Sequence, residues 1–128
     1  MKDFIPHEPA FALKELGFDE PGLGYYLCRN SAFGIDDLFI TTEWIDLLPY
    51  DSSSCKAPTF SQAFRWFREK FEIHSFIDCK WKNLGWEYEL VDLNKMEKIS
   101  CIGNYGYKTP EEAELACLRK LIEIVNNF

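Results

Sequence analysis

The residues able to do chemistry are few and scattered. The histidines are His7 and His74, and the cysteines are Cys28, Cys55, Cys79, Cys101 and Cys117. A metal site needs such residues closely spaced, so that a local turn brings two of them to one ion. No Cys-x-x-Cys occurs; His74 and Asp78 share one face of a β-like stretch, and that pair alone does not make a site. Free cysteine packs like a small hydrophobe, so these thiols read as core residues and no metal or cofactor is expected. For nucleophilic catalysis Cys79 falls on the strand face opposite His74, and Cys117 falls on an apolar helical stripe. No nucleophile elbow or thiol-protease signature is present. Asp36-Asp37 and Glu87/Glu89 are paired carboxylates; the second pair shares a strand face, with no apolar neighbour in sequence to raise a pKa, and reads as solvated. No catalytic residue is assigned. Gly103-Asn-Tyr-Gly106-Tyr-Lys-Thr109 leads into a helix start that could hold an anion. Glu111 and Glu112 already complement that dipole, so a tight turn and a capped helix are expected there.

The elements that must position these residues follow from local pattern. Ile5 to Gly17 reads as a short helix with Pro9 in its first turn and Gly17 just past its end. Leu23 to Arg29 is β-like, Asn30-Ser31 a turn, and Leu38 to Thr42 a second strand, while Glu43 to Leu48 fits neither template. Pro49 to Ser54 is a loop. Thr59 to Gln62 has capping-box spacing, and Phe60, Phe64, Phe67 and Phe71 then line one helical face. Arg65/Glu69 and Arg68/Glu72 are i,i+4 pairs on the same helix. From Ile73 the period becomes two: Ile73, Ser75, Ile77, Cys79 and Trp81 fall on one side, with His74, Phe76, Asp78 and Lys80 on the other. Asn83-Leu84-Gly85 is a turn, Trp86, Tyr88 and Leu90 mark the next strand, and Lys98 to Asn104 fits a third. Thr109-Pro-Glu-Glu opens a final helix whose core stripe is Ala113, Cys117, Leu121 and Ile124, widened by Leu118, Ile122 and Val125.

The 128 residues suffice for a single domain, 1–128, with a self-supporting core. Hydrophobic residues at 47% and aromatic ones at 16% indicate a globular chain rich in large rings. The net charge of −7 opposes nonspecific binding to nucleic acid or anionic lipid. The acidity is concentrated in residues 1–59, with 4 Lys/Arg against 10 Asp/Glu; residues 60–128 carry 10 against 11. No apolar run is long enough to span a membrane, the opening Met-Lys-Asp-Phe-Ile-Pro lacks a signal h-region, and the odd cysteine count suits a reducing, cytoplasmic setting. The expected fold is α+β, an antiparallel sheet covered by helices.

From residue 59 the order helix, three strands, helix resembles that of double-stranded-RNA-binding domains, and the likeness is one of topology. That family presents lysines at the start of its last helix, where this chain has Glu111, Glu112 and Glu114. Carboxylates there repel phosphate, which leaves Tyr105, Tyr107 and Lys108 as RNA-facing candidates. Trp66 lies off the Phe60/64/67/71 face beside Arg65 and Arg68, a composition typical of protein interfaces; the alternative is that Trp66 packs against the first half. Tyr25 and Tyr26 point to opposite strand faces, so one of them is a second candidate for exposure.

Three stretches carry a second resemblance: Ile5-Pro6 with Leu13-Lys-Glu-Leu-Gly-Phe-Asp-Glu-Pro21, Ala57-Pro58 with Gln62-Ala-Phe-Arg-Trp-Phe-Arg-Glu-Lys70, and Thr109 with Glu111 through Val125. They resemble a family of small uncharacterised proteins from phage and prophage gene sets of gut bacteria. The family has no assigned activity, so the resemblance implies a setting and no catalytic residues. The combined expectation is a noncatalytic accessory protein acting through protein contacts, with Trp66, Arg65, Arg68, Tyr105, Tyr107 and Lys108 as candidate binding residues. Duplex RNA binding is the first alternative. An enzyme of unknown reaction, built around a pocket holding His74 with Asp78 or a cysteine, is the second.

Overall fold

The computed structural model describes residues 3–26, 38–45, 55–81 and 85–128. The expected turns at Asn30-Ser31 and Asn83-Leu84, the loop Pro49 to Ser54, the Asp36-Asp37 pair and Cys28 lie outside those residues. The fold is α+β, with three helices and two small antiparallel sheets among the described residues. The chain divides into two compact units at Thr59/Phe60. Among the described residues no helix is long and apolar enough to cross a membrane.

The first unit holds α1 (His7–Glu15), β1 (Gly22–Tyr26), β2 (Leu38–Ile45) and β3 (Cys55–Lys56), with sheet order β2-β1-β3. Helix α1 ends where the sequence places Gly17, whose φ of 99° belongs to the left-handed region. Gly17 N donates to Lys14 O at 3.0 Å and Phe18 N to Leu13 O at 2.9 Å. That is a Schellman closure, and its apolar clasp is the buried pair Leu13 and Phe18. Ile5, Ala10, Leu13, Tyr26, Cys55 and Ala57 form the core. The Tyr26 hydroxyl donates to Ile5 O at 2.8 Å, and burial, with Cys55 beside it, raises its pKa. Lys56 is buried, and its ammonium is satisfied by Asp19 O at 2.9 Å and Asp19 Oδ1 at 3.3 Å. Strand β2 extends the expected Leu38–Thr42 through to Ile45, taking in part of the stretch that fitted neither template.

The second unit runs α2 (Phe60–Phe71), β4 (Ile73–Trp81), β5 (Gly85–Asp92), β6 (Glu97–Ile99) and α3 (Pro110–Asn126). The strands form an antiparallel meander, β4-β5-β6. Pairing sets Ile73 opposite Asp92, Ser75 opposite Leu90 and Ile77 opposite Tyr88 on one face. Ile73, Tyr88 and Leu90 are buried there, beneath Phe60, Ala63, Trp66 and Phe67 of α2 and Ala113, Cys117, Leu118 and Leu121 of α3. Both helices therefore cover the same face. His74, Phe76, Asp78, Glu87, Glu89 and Val91 occupy the other. The period-two reading of β4 holds through Cys79, after which a register shift before Trp81 ends it.

Two expectations need correction. The buried stripe of α2 is Phe60, Ala63, Trp66 and Phe67, with Phe64 and Phe71 only half-buried. The core lies to one side of the all-Phe row: at about 100° per residue Ala63 and Trp66 fall on one flank of that row, beside Phe60 and Phe67, while Phe64 and Phe71 fall toward the other. The third strand is also shorter than Lys98–Asn104: β6 stops at Ile99, and the chain continues from there as a loop.

Candidate functional site

The loop 100–108 is built from the end of β6 back to the cap of α3. The β5–β6 hairpin sets its start: Asp92 Oδ1 accepts from Asn94 N at 2.9 Å and Lys95 N at 3.3 Å, and Met96 closes the turn with φ 53°. Beyond Ile99 the chain leaves the sheet, then rejoins β5 further along. Tyr88 N donates to Asn104 O at 2.9 Å, and Asn104 Nδ2 donates to Tyr88 O at 2.8 Å. Trp86 and Tyr107 exchange two backbone bonds, at 2.7 and 3.0 Å. The Tyr107 hydroxyl closes the loop on itself by donating to Gly103 O at 2.6 Å. Gly103 and Gly106, with φ of 74° and 85°, make the two reversals.

Helix α3 fixes the far end. Thr109 Oγ1 accepts from Glu112 N at 3.1 Å, Pro110 occupies the first turn, and Glu112 Oε2 accepts from Lys108 N at 3.1 Å. The reciprocal cap expected from Thr-Pro-Glu-Glu is present, with the carboxylate reaching one residue further back than in the usual box.

Two apolar side chains project from this pinned loop. Ile102 is 97% exposed and Tyr105 is 68% exposed. A cleft of about 300 Å³ opens where β6 and the loop part, lined by Glu89, Leu90, Lys98, Ile99, Ser100, Cys101 and Asn104. Lys98 Nζ stands 3.4 Å from Glu89 Oε2 at its rim. Burial pushes the Cys101 thiol up, against an opposing pull from Lys120. A thiol held protonated, with no histidine in the cleft lining, is a poor nucleophile.

Of the residues singled out in the sequence, Tyr105, Tyr107 and Lys108 fall on this loop: Tyr105 and Lys108 exposed, Tyr107 half-buried and turned inward to Gly103. Arg65 and Arg68 are exposed on α2. Trp66 is only 5% exposed, its indole edge-on to Phe67 and Phe71 with Lys70 Nζ 5.4 Å from the ring centroid. It is a core ring, so the sequence-level picture of an exposed indole between two arginines does not describe this helix. In the first unit Tyr26 is buried and Tyr25 half-buried. Glu87 and Glu89 are half-buried rather than solvated, and the Glu89 side chain retains 15% of its exposure.

His74 and Asp78 lie four residues apart on one strand, on the order of 13 Å, too far to share an ion. His74 sits beside Phe76 at 6.0 Å between rings, and Asp78 Oδ1 accepts from Cys79 N at 2.8 Å. Among the described residues no group of three His, Cys, Asp or Glu side chains is placed to hold a metal. Local pattern did not single out Ile102 or Asn104. The one signal for them was the pair of glycines at 103 and 106, which break an otherwise β-like run.

No family model, curated protein or solved structure matches this chain.

Proposed function

We propose that this chain is a noncatalytic accessory protein, of the phage and mobile-element type suggested by its sequence resemblance, that works in the cytoplasm by binding another protein through loop 100–108. The observation supporting this reading is the pairing of near-full exposure at Ile102 and exposure of Tyr105 with a loop held by five hydrogen bonds. An apolar anchor on a rigid loop loses little conformational entropy on binding, which is how a few residues come to carry most of an interface. Lys108 and Lys98 supply a polar rim, and the acidic first turn of α3 favours a partner with basic residues next to its apolar pocket.

Affinity capture from a gut-bacterial lysate, with and without nuclease, tests the reading. A protein retained by the wild type after nuclease treatment, and lost with Ile102→Ser/Tyr105→Ala, supports it. Retention by the double variant refutes the loop as the anchor.

The α2-β4-β5-β6-α3 order supports duplex RNA as a second reading. Binding that disappears with nuclease and falls steeply with salt distinguishes it. Glu111 and Glu112, both in the first turn of α3, weigh against it.

A further inference from the structure

Strand β4 is the outer strand of its sheet, and among the described residues it pairs with β5 alone. Its hydrogen-bonding directions follow from its neighbour. Trp86 and Tyr88 direct their amides away from β4, toward loop 100–108. In an antiparallel sheet the alternate residues Glu87, Glu89 and Val91 therefore bond to β4, through Asp78, Phe76 and His74 opposite them. Ile73, Ser75, Ile77 and Cys79 are left directing their N–H and C=O groups away from the sheet, and of these the Cys79 N–H is taken up by its neighbour Asp78 Oδ1 at 2.8 Å.

This edge is long and lightly defended: Asp78 is its one acidic residue, and the register shift comes only after Cys79. Natural edges are kept short, or carry proline or lysine, because unpaired backbone recruits another strand. Ile73–Cys79 is seven residues in unbroken register, with no proline and no lysine. At the other side of the sheet β6 has three residues, and the returning loop takes up β5 beyond it.

We propose that β4 pairs antiparallel with β4 of a second copy of this chain, about a two-fold axis at Phe76, joining two three-stranded sheets into one of six strands. The choice of axis follows from pairing and charge. Outward residues must face outward residues, so the axis passes through a residue of the strand. Phe76 is the midpoint of Ile73–Cys79, and only there does the whole regular stretch pair. Ser75 then faces Ile77 of the second copy, and Ile73 faces Cys79, which gives about six backbone hydrogen bonds, and about eight once Asp78 exchanges the Cys79 amide for His74 of the second copy.

On the face opposite the helices, the same register places Phe76, 38% exposed, against its own copy. His74 comes to the second copy's Asp78, in the close non-hydrogen-bonded pairs where side chains interact most. An axis at Ile77 sets Phe76 against Asp78. An axis at Ser75 sets Glu72 against Asp78, two like charges. The Phe76 register is the one that stacks ring on ring and joins imidazole to carboxylate.

Sedimentation of the full chain from low to high micromolar concentration reads the outcome. A concentration-dependent species of twice 15.0 kDa is expected. Phe76→Lys sets two ammonium groups across the axis on a solvent-facing position, so it yields monomer with an unchanged circular dichroism spectrum and the melting temperature that the wild type shows when dilute enough to be monomeric. Phe76→Cys in a Cys79→Ser background forms a covalent dimer on mild oxidation, through position 76 by peptide mapping. A wild type that stays monomeric throughout overturns the proposal. So does a dimer that survives Phe76→Lys, or one that fails to cross-link at position 76, since either places the contact, or a foreign strand, elsewhere.

Discussion

Replacing Gly85 by alanine tests how firmly loop 100–108 is tied to the sheet. Gly85 opens β5 with φ 75°, and a Cβ built there would lie 2.5 Å from Tyr107 O. The obstacle is backbone, not the end of a flexible side chain, so strand and loop must separate. Holding alanine in the left-handed region costs about 1–2 kcal/mol. Loosening the two bonds between Trp86 and Tyr107 costs about 1 kcal/mol each, net of water. The expected loss is therefore about 3 kcal/mol. Urea unfolding measures it, and hydrogen exchange at the Trp86 and Tyr107 amides locates it, with exchange accelerating on the order of 100-fold. Gly103→Ala is the internal control. Its φ is 74°, but nothing lies within 4 Å of the added Cβ, so only the conformational cost remains. A Gly85→Ala loss no larger than that of Gly103→Ala, with the Trp86 and Tyr107 amides still protected, would refute the claim that close approach holds the loop.

Leu121→Ala removes a fully buried side chain between α3 and the sheet and lowers stability by about 2–5 kcal/mol in denaturant titration. Thr109→Ala deletes the acceptor for Glu112 N and costs about 1 kcal/mol in the same assay. Cys117 gives a pH signature. Burial pushes its thiol from 9.0 up to about 12, so the folded state keeps a proton that the unfolded chain releases. The contribution is whole below pH 9.0 and is lost as pH rises toward 12; Cys117→Ala makes that alkaline decline shallower. Among the described cysteines, thiol labelling of the native protein reaches exposed Cys79 first, and Cys55 and Cys117 only on unfolding.

The parts of this fold legible in the sequence are those whose cause is local. Thr109, Pro110 and Glu112 announce the start of α3 because a cap is made by residues three apart. Gly17 announces the end of α1 for the same reason, and Ile73 to Cys79 alternates as a strand with one covered face must. The features that local pattern misses depend on distant partners. Cys55–Lys56 is too short to show a period and is a strand only because Tyr25 and Tyr26 lie alongside. Trp66 is core because α2 turns it toward the sheet, and no local rule separates it from Phe64. The loop is half-legible. Gly103 and Gly106 mark a break, but the pair of hydrogen bonds between Asn104 and Tyr88, sixteen residues away, is what makes the break a fixed platform.

That pair of hydrogen bonds has an engineering consequence. Residues 100–102 run between two anchors, the end of β6 and the Gly103–Asn104 pair held by Tyr107 and Tyr88, and contribute no rung to the ladder. Lengthening such a segment costs only closure entropy, which rises slowly with length. The sheet can thus carry a different insert there, including a grafted peptide, without re-registering β5. Position 102 can be varied in the same way while the scaffold that folds stays the same.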